Sequence, residues 1–160
     1  MEREEAMNVK DIMTRSPISI EPEAPLATAI TVMVERKIRH LPVVDDLGAV
    51  VGIITDRDLR NITLAPVLEE YLSAAARRRL RGMAATFENL RVKDLMTCNP
   101  ITTSPGVSVT QAAALMLERH VGSLPVIENG KLVGIITDRD AVRALAIQVP
   151  ALKYAAQALW

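Results

Sequence analysis

The residues with the clearest chemical potential form a segment that occurs twice, Val-Gly-Ile-Ile-Thr-Asp-Arg-Asp, at residues 51–58 and 133–140. In each copy an apolar strand-like run ends at the threonine, and a helix is predicted to begin after it. Free backbone N–H groups at a helix start favour an anion such as phosphate. Threonine and arginine side chains also bind phosphate, whereas an aspartate accepts hydrogen bonds from vicinal ribose hydroxyls. The segment therefore predicts a nucleotide site in each copy.

The same segment has an explanation that needs no ligand. Thr-x-x-Asp is a capping box, in which the threonine caps the helix and the aspartate reaches back to its backbone N–H. A capping box requires neither the arginine, Arg57 or Arg139, nor the duplication of the whole segment. The sequence is compatible with both the nucleotide-site and the capping-box interpretation. The glycine of each copy, Gly52 or Gly134, is predicted to allow a ligand to approach the backbone closely.

The nucleotide interpretation predicts a polar and an aliphatic set of ligand-binding residues. The polar set comprises Thr55, Asp56, Arg57 and Asp58 in one copy and Thr137, Asp138, Arg139 and Asp140 in the other. Neither copy contains Phe, Tyr or Trp, so aliphatic groups must enclose the base. The candidates are Ile18, Ile20, Pro42, Val43, Ile101, Thr103, Pro125 and Val126. Ordinary core packing is the alternative role of the aliphatic members.

The chain consists of two copies of one unit. With an offset of 83 residues, Val-Lys-Asp-Ile-Met-Thr at 9–14 matches Val-Lys-Asp-Leu-Met-Thr at 92–97, and Leu-Pro-Val at 41–43 recurs at 124–126. The predicted division is a first repeat at 8–62, a helical linker at 63–90, a second repeat at 91–147 and an apolar tail at 148–160. The four linker arginines, at 77–79 and 81, are predicted to form a solvated face or to contact an anion or a partner.

Each repeat is predicted to fold as β-α-β-β-α, which places the chain in the mixed α/β class (α+β). The predicted strands are 18–20, 40–44 and 49–55, then 101–103, 123–127 and 132–137. Asn129-Gly130 is a strong hairpin signal between the last two. The apolar positions of the first helix are Leu26, Ile30, Met33 and Val34, and those of its counterpart are Val109, Ala113, Met116 and Leu117. Repeats this small are expected to pack together around a pseudo-two-fold axis, with the ligand in the shared cleft.

Composition excludes several functions for these 160 residues. Nineteen basic and 19 acidic residues leave no net field to attract nucleic acid or a membrane. There is no signal peptide, no run of about 18 apolar residues and only one cysteine, which together predict a cytoplasmic protein. No carboxylate pair, Ser/His/Asp set, P-loop or Cys/His cluster stands out, so no enzyme activity, cofactor or resident metal is predicted.

The combined motifs resemble a CBS-domain pair, also called a Bateman module. They are Asp-Ile-Met-Thr-x-x-Pro-Ile, Arg-His-Leu-Pro-Val-Val-Asp and Val-Gly-Ile-Ile-Thr-Asp-Arg-Asp-Leu, each with a related but not identical second copy. The chain is similar to stand-alone CBS-pair proteins, among them the acetoin-utilisation AcuB-like family. The resemblance implies a homodimeric regulatory module that senses AMP, ADP or ATP and signals to a partner protein, with Mg²⁺ able to accompany ATP. The alternatives are sensing of S-adenosylmethionine or NAD, and a ligand-free structural dimerisation module.

The resemblance also implies roles for particular residues. The threonine of each copy would contact phosphate and the aspartate would bind ribose. Residues just before Leu-Pro-Val often face phosphates in such modules, and these are Arg39 and His40 in the first copy but Gly122 and Ser123 in the second. The two sites are therefore expected to differ in how much negative charge they accept.

Overall fold

The computed structural model describes residues 7–63, 73–74 and 89–148. Most of the predicted linker, including its four arginines, and nearly all of the predicted apolar tail lie outside the described residues. The elements in chain order are α1 (Val9–Ile12), β1 (Thr14–Arg15), α2 (Leu26–Arg36), β2 (His40–Val44), β3 (Val50–Thr55), α3 (Asp56–Thr63), α4 (Val92–Leu95), β4 (Thr97–Cys98), α5 (Val109–Arg119), β5 (Ser123–Glu128), β6 (Lys131–Thr137) and α6 (Asp138–Gln148).

The chain forms two compact units, and each takes a segment from the other sequence repeat. The continuous unit comprises residues 18–100 and contains the antiparallel sheet β2-β3-β4. In the split unit, residues 7–17 pack with residues 101–148 and complete the antiparallel sheet β1-β6-β5. The predicted mixed α/β fold with two repeats is confirmed. The sequence did not predict that β1 and β4 would be exchanged between repeats.

The two hairpins form where the turn residues predict them. In β5–β6, Glu128 pairs with Lys131, and the intervening Asn129 and Gly130 have φ angles of 51° and 76°. Positive φ at both central residues is the requirement of a type I′ turn, which matches the twist of the flanking strands. In β2–β3, the Asp45 carboxylate instead accepts two backbone N–H groups of its own turn, each at 2.9 Å.

The predicted strands at 18–20 and 101–103 are wrong in extent, because each is reduced to a single parallel bridge. Ile20 pairs only with Val43, and Thr103 pairs only with Val126. Proline prevents the ladder from continuing in either direction. Extending it at Ile20 would need backbone N–H groups at positions 22 and 42, and both are prolines. In the second repeat positions 105 and 125 are prolines, so the ladder at Thr103 cannot be extended either.

The helices α2 and α5 cover their sheets with equivalent stripes. Leu26, Ala29 and Met33 are buried on α2, and their counterparts on α5 are Val109, Ala112 and Met116. The expectation that Val34 and Leu117 belong to these stripes is wrong, since they are 72% and 77% exposed. At 100° per residue, position 34 lies one step round the helix from Met33 and outside the narrow buried face. In the described ranges, no helix combines the length and apolarity needed to cross a membrane.

Candidate functional site

Each Thr-x-x-Asp segment lies where a central strand turns directly into a helix. β3 ends at Thr55 and α3 begins at Asp56, and the same junction joins Thr137 to Asp138. The first N–H of each helix is already used, because Asp56 donates to the Arg39 carbonyl at 2.9 Å and Asp138 donates to the Gly122 carbonyl at 3.0 Å. On α6 the next two N–H groups are also used, because Arg139 donates to Oδ1 of Asp138 at 2.8 Å and Asp140 donates to Oγ1 of Thr137 at 3.3 Å.

The aspartates of both segments form the capping bond that the capping-box interpretation predicts. Oδ2 of Asp58 accepts the Thr55 backbone N–H at 2.8 Å and its hydroxyl at 2.7 Å. Oδ2 of Asp140 accepts the corresponding groups of Thr137 at 2.9 and 2.7 Å. Capping uses one oxygen of each carboxylate. Among the described residues no group donates to Oδ1 of either aspartate, so each keeps an acceptor for another donor.

The strand pairing brings the residues before Leu-Pro-Val beside the threonines. His40 is directly opposite Thr55 in the β2–β3 register, and Ser123 is directly opposite Thr137 in β5–β6. Side chains opposite each other on antiparallel strands lie on the same face, with Cβ atoms about 5 Å apart. His40 is half-buried and Ser123 is buried, at 6% exposure. Within each unit, the structure therefore places the predicted phosphate-facing position next to the threonine of the Thr-x-x-Asp segment.

The predicted arginines are placed at the surface around the helix starts. Arg39, Arg57 and Arg139 are all exposed. Asp56 forms an ion pair with Arg60, with Nη2 3.2 Å from Oδ2. The exposed Asp138 instead accepts the backbone N–H of Arg139 at 2.8 Å. These exposed cations can meet an anion without leaving a buried charge unpaired.

Most of the aliphatic candidates for the base are core residues. Val43 and Val126 have no exposed surface, and Pro42 and Pro125 are also fully buried. Ile20, at 9% exposure, belongs to the core cluster of the continuous unit. The burial of these five agrees with the core-packing alternative. Ile18, which is 41% exposed, and the half-buried Ile101 and Thr103 keep side-chain surface that a base could contact.

Thr103 also lines an open groove of about 720 Å³ in the split unit. The hydroxyls of Thr102, Thr103 and Ser104 and the carboxylate of Glu118 are among its polar groups, and none of its lining residues is a cation. A phosphate would meet no favourable charge there. The groove is therefore not a candidate phosphate site.

The predicted role of the two glycines is wrong, because methionine side chains already occupy the space above them. A Cβ on Gly134 would lie 2.5 Å from Sδ of Met13, and a Cβ on Gly52 would overlap Sδ of Met96. Each methionine comes from the exchanged segment, immediately before β1 or β4. The glycines therefore admit a thioether rather than a ligand. The repeated Asp-h-Met-Thr motif was the available signal for this packing.

No cluster of three or more His, Cys, Asp or Glu side chains suited to a metal ion occurs in the part of the chain that the structure describes. The single cysteine, Cys98, is exposed on β4. The polar groups that the structure does bring together, hydroxyl, carboxylate and guanidinium, are able to bind a ligand.

Comparison with known proteins supports this architecture. A sequence model of the CBS domain matches residues 9–64 and 92–147. The structure of CBSX2 from Arabidopsis thaliana in complex with AMP superposes with a TM-score of 0.69 at 31% identity, covering 89% of this chain and 99% of that one. The CBS-domain pair of protein MJ0100, solved with 5′-methylthioadenosine and S-adenosyl-L-methionine, has a TM-score of 0.70 at 26% identity, covering 90% and 99%.

An AcuB protein from Vibrio cholerae, assigned to acetoin utilisation, is also similar, with a TM-score of 0.65 and 28% identity over 89% of this chain and 96% of that one. Curated enzymes are similar to this chain as well, but the match spans only 21% or 24% of their length. The similarity to those enzymes is therefore confined to a small part of each.

Proposed function

The chain belongs to the CBS-domain family, as its repeated motifs predict, and on that premise we propose that it is a regulatory module that binds adenosine-containing nucleotides at the starts of α3 and α6. The observation that carries the proposal is the arrangement of Asp58 and Asp140. Each holds its helix start with Oδ2 and keeps Oδ1 as an acceptor beside a threonine and an arginine. That combination suits a ligand with both hydroxyl and phosphate groups.

The proposed roles follow from the charge and donor capacity of each group. Oδ1 of Asp58 or Asp140 accepts hydrogen bonds from the ribose hydroxyls. The guanidinium of Arg57 or Arg139 binds phosphate. Ile18 and Ile101 contact the base. AMP, bound by CBSX2, and the two adenosine derivatives bound by MJ0100 support this ligand class. AMP, ADP and ATP are the proposed ligands, with S-adenosylmethionine and NAD as the alternatives.

Regulation requires that the ligand bind one arrangement of the protein more tightly than another, since equal affinity would shift no equilibrium. We propose that the change is passed to a partner protein and that the chain itself is not an enzyme. A cytoplasmic location stays a prediction from composition. The curated enzymes that match contain a similar region within a much longer chain, which is consistent with a binding role for that region.

A ligand-free structural module is the second candidate, and one observation favours it. The bonds that Asp58 and Asp140 accept from their threonines, at 2.7–2.9 Å, are those of an ordinary capping box. In that case Asp58 and Asp140 would serve only helix stability, and their removal would cost about 0.5–2 kcal/mol each with no effect on any ligand.

Thermal unfolding with millimolar AMP, ADP, ATP, S-adenosylmethionine or NAD distinguishes the two candidates. A ligand at 100 times its Kd stabilises the folded state by about 2.7 kcal/mol, which raises Tm by roughly 5–10 °C for a chain of this size. We expect a selective rise with one or more ligands. The rise should disappear in the Asp58→Ala/Asp140→Ala protein.

The chain offers matched control substitutions for this experiment. Asp11 on α1 and Asp94 on α4 accept the same kind of capping bond, from the backbone N–H of Asn8 at 2.9 Å and of Arg91 at 2.7 Å. Asp11→Ala/Asp94→Ala should lower Tm and retain the full ligand response. If no ligand raises Tm, or if the double variants behave alike, the structural module is the better conclusion.

We also propose that the chain forms a homodimer through exposed aliphatic side chains on its helices. Val34 on α2 and Leu117 on α5 occupy equivalent positions in the two repeats, and both are more than 70% exposed. Val34→Asp/Leu117→Asp is expected to halve the mass measured by light scattering. Leu47→Asp, at an 81% exposed turn position, should leave the mass unchanged. A monomeric wild-type protein would refute the proposal.

A further inference from the structure

The two proposed sites differ in charge although their Thr-x-x-Asp segments are identical. At the start of α3, His40 is the first residue of β2 and Arg39 directly precedes it. The Arg39 carbonyl accepts the Asp56 N–H, and His40 lies opposite Thr55. The equivalent positions at the start of α6 are Gly122 and Ser123. The backbone arrangement is therefore conserved between the two units while a cation and an imidazole are present in only one.

A third position increases the difference. Arg60, four residues after Asp56, forms an ion pair with that carboxylate at 3.2 Å. The corresponding residue on α6 is Val142, which is 66% exposed, so Asp138 has no arginine at that spacing. Asp138 is also more exposed than Asp56. The negative charge of Asp56 is thus offset by an arginine in the continuous unit. In the split unit no arginine occupies the equivalent position relative to Asp138.

The remaining charges near α6 do not restore the balance. Arg139 matches Arg57, and Asp140 matches Asp58, so these pairs cancel in the comparison. Arg143 is an additional cation of α6, one residue after the position equivalent to Arg60, so it matches Arg60 in number but leaves Arg39 without a counterpart. With the first six residues of each helix included, three arginines, at positions 39, 57 and 60, accompany two aspartates at α3, whereas two arginines, at positions 139 and 143, accompany two at α6.

From this asymmetry we infer that the site at α3 selects adenosine ligands with a di- or triphosphate, and that the site at α6 selects ligands with a neutral or cationic 5′ group. The inference rests on the proposed function, because it assigns different ligands to the same two sites. The compounds bound by the solved relatives include both an anion, AMP, and an uncharged nucleoside, 5′-methylthioadenosine. This chain would accommodate the two classes in separate units.

Isothermal titration calorimetry with ATP and with 5′-methylthioadenosine tests the inference one site at a time. Asp140→Ala disables the site at α6, and this protein is expected to bind ATP at least about tenfold more tightly than 5′-methylthioadenosine, a factor equal to 1.4 kcal/mol. Asp58→Ala disables the site at α3, and this protein is expected to show the opposite preference. The ATP affinity of the first protein should also fall more steeply with salt.

Transplanted side chains test the cause. Arg39→Gly/His40→Ser, added to Asp140→Ala, should remove the preference for ATP, whereas Arg91→Gln, at an exposed arginine at the start of α4, should retain it. Val142→Arg, added to Asp58→Ala, places an arginine at an exposed position one helical turn after Asp138. This substitution should raise ATP affinity several-fold.

The outcomes separate this inference from the proposed function. If the wild-type protein binds neither compound, or if the Asp58→Ala/Asp140→Ala protein binds both as the wild type does, the proposed nucleotide sites are wrong. If each single variant binds nucleotide but the two share one preference, or if Arg39→Gly/His40→Ser changes nothing, the sites stand and the assignment by charge is overturned.

Discussion

Deletion of residues 1–16 is expected to unfold the split unit while the sheet of the continuous unit stays protected. The deleted segment contains α1 and β1, which pack against residues 101–148. Val9 is fully buried in a cluster with Leu124 and Ile136, and Met13 packs against the same cluster. Removing Val9, Ile12 and Met13 loses about 3–6 kcal/mol of apolar burial. That loss is a large part of the 5–15 kcal/mol that usually separates folded from unfolded states.

Hydrogen exchange measured by mass spectrometry would test this deletion. Amides of β5 and β6 should exchange rapidly in the truncated protein, whereas amides of β2 and β3 should exchange slowly, as in the wild type. Val9→Ala is the milder control of full length, with an expected loss of about 2 kcal/mol and both sheets retained. Slow exchange in β5 and β6 after the deletion would show that residues 7–16 are not required for the split unit.

Gly134→Ala is expected to destabilise the protein by about 1–3 kcal/mol through overpacking. The new methyl group would lie 2.5 Å from Sδ of Met13 and 3.2 Å from the Thr14 carbonyl oxygen. The thioether can rotate away, but the β1 backbone is fixed by its pairing with β6. Chemical denaturation measures the loss as a change in midpoint at constant slope.

A double-mutant cycle identifies the cause of that loss. Met13→Ala removes the thioether, so Gly134→Ala should be much less harmful in the Met13→Ala background than in the wild type. Gly106→Ala is the matched control, because no atom lies within 4 Å of a Cβ there, and it should change stability by less than about 0.5 kcal/mol. Additive effects of Gly134→Ala and Met13→Ala would contradict the packing described here.

Local chemistry was sufficient to predict many of the elements. β2 has the predicted limits, 40–44, and the Asn129-Gly130 turn has the predicted geometry, because periodicity and turn conformation are determined by neighbouring residues. The reduced strand at 18–20 could have been predicted too. Pro22 and Pro42 lack the N–H groups that a longer parallel ladder needs, and both are visible in the sequence.

The exchange of β1 and β4 could not be predicted from these patterns. The motifs at 9–14 and 92–97 differ at one position, so either copy would bury nearly the same side chains against either Gly-Ile-Ile-Thr strand. Hydrophobic pattern and motif identity cannot distinguish the two pairings.

The binding role of the candidate site stays a prediction, but some of its contacts could be predicted. The bond between Thr55 and Asp58 follows from a short motif, and the place of His40 opposite Thr55 follows from the strand register. The role of Gly52 was mistaken because its neighbour, Met96, is distant in sequence. Core residues such as Val43 were ambiguous for the same reason, since burial depends on packing between segments that sequence spacing does not relate.

The interleaved order of the two units has a consequence for synthesis on the ribosome. All strands of the continuous unit have been translated once residue 100 is added, so its sheet can form while the chain is still growing. Residues 7–17 are made early, yet β6, with which β1 pairs, is translated only at residues 131–137. During elongation the apolar side chains of Val9 and Met13 must stay exposed to solvent or pack temporarily against β3. The glycine and isoleucines of β3 are the same as those of β6. Slow late translation would favour such a mispaired intermediate, and β4 would then have to displace it.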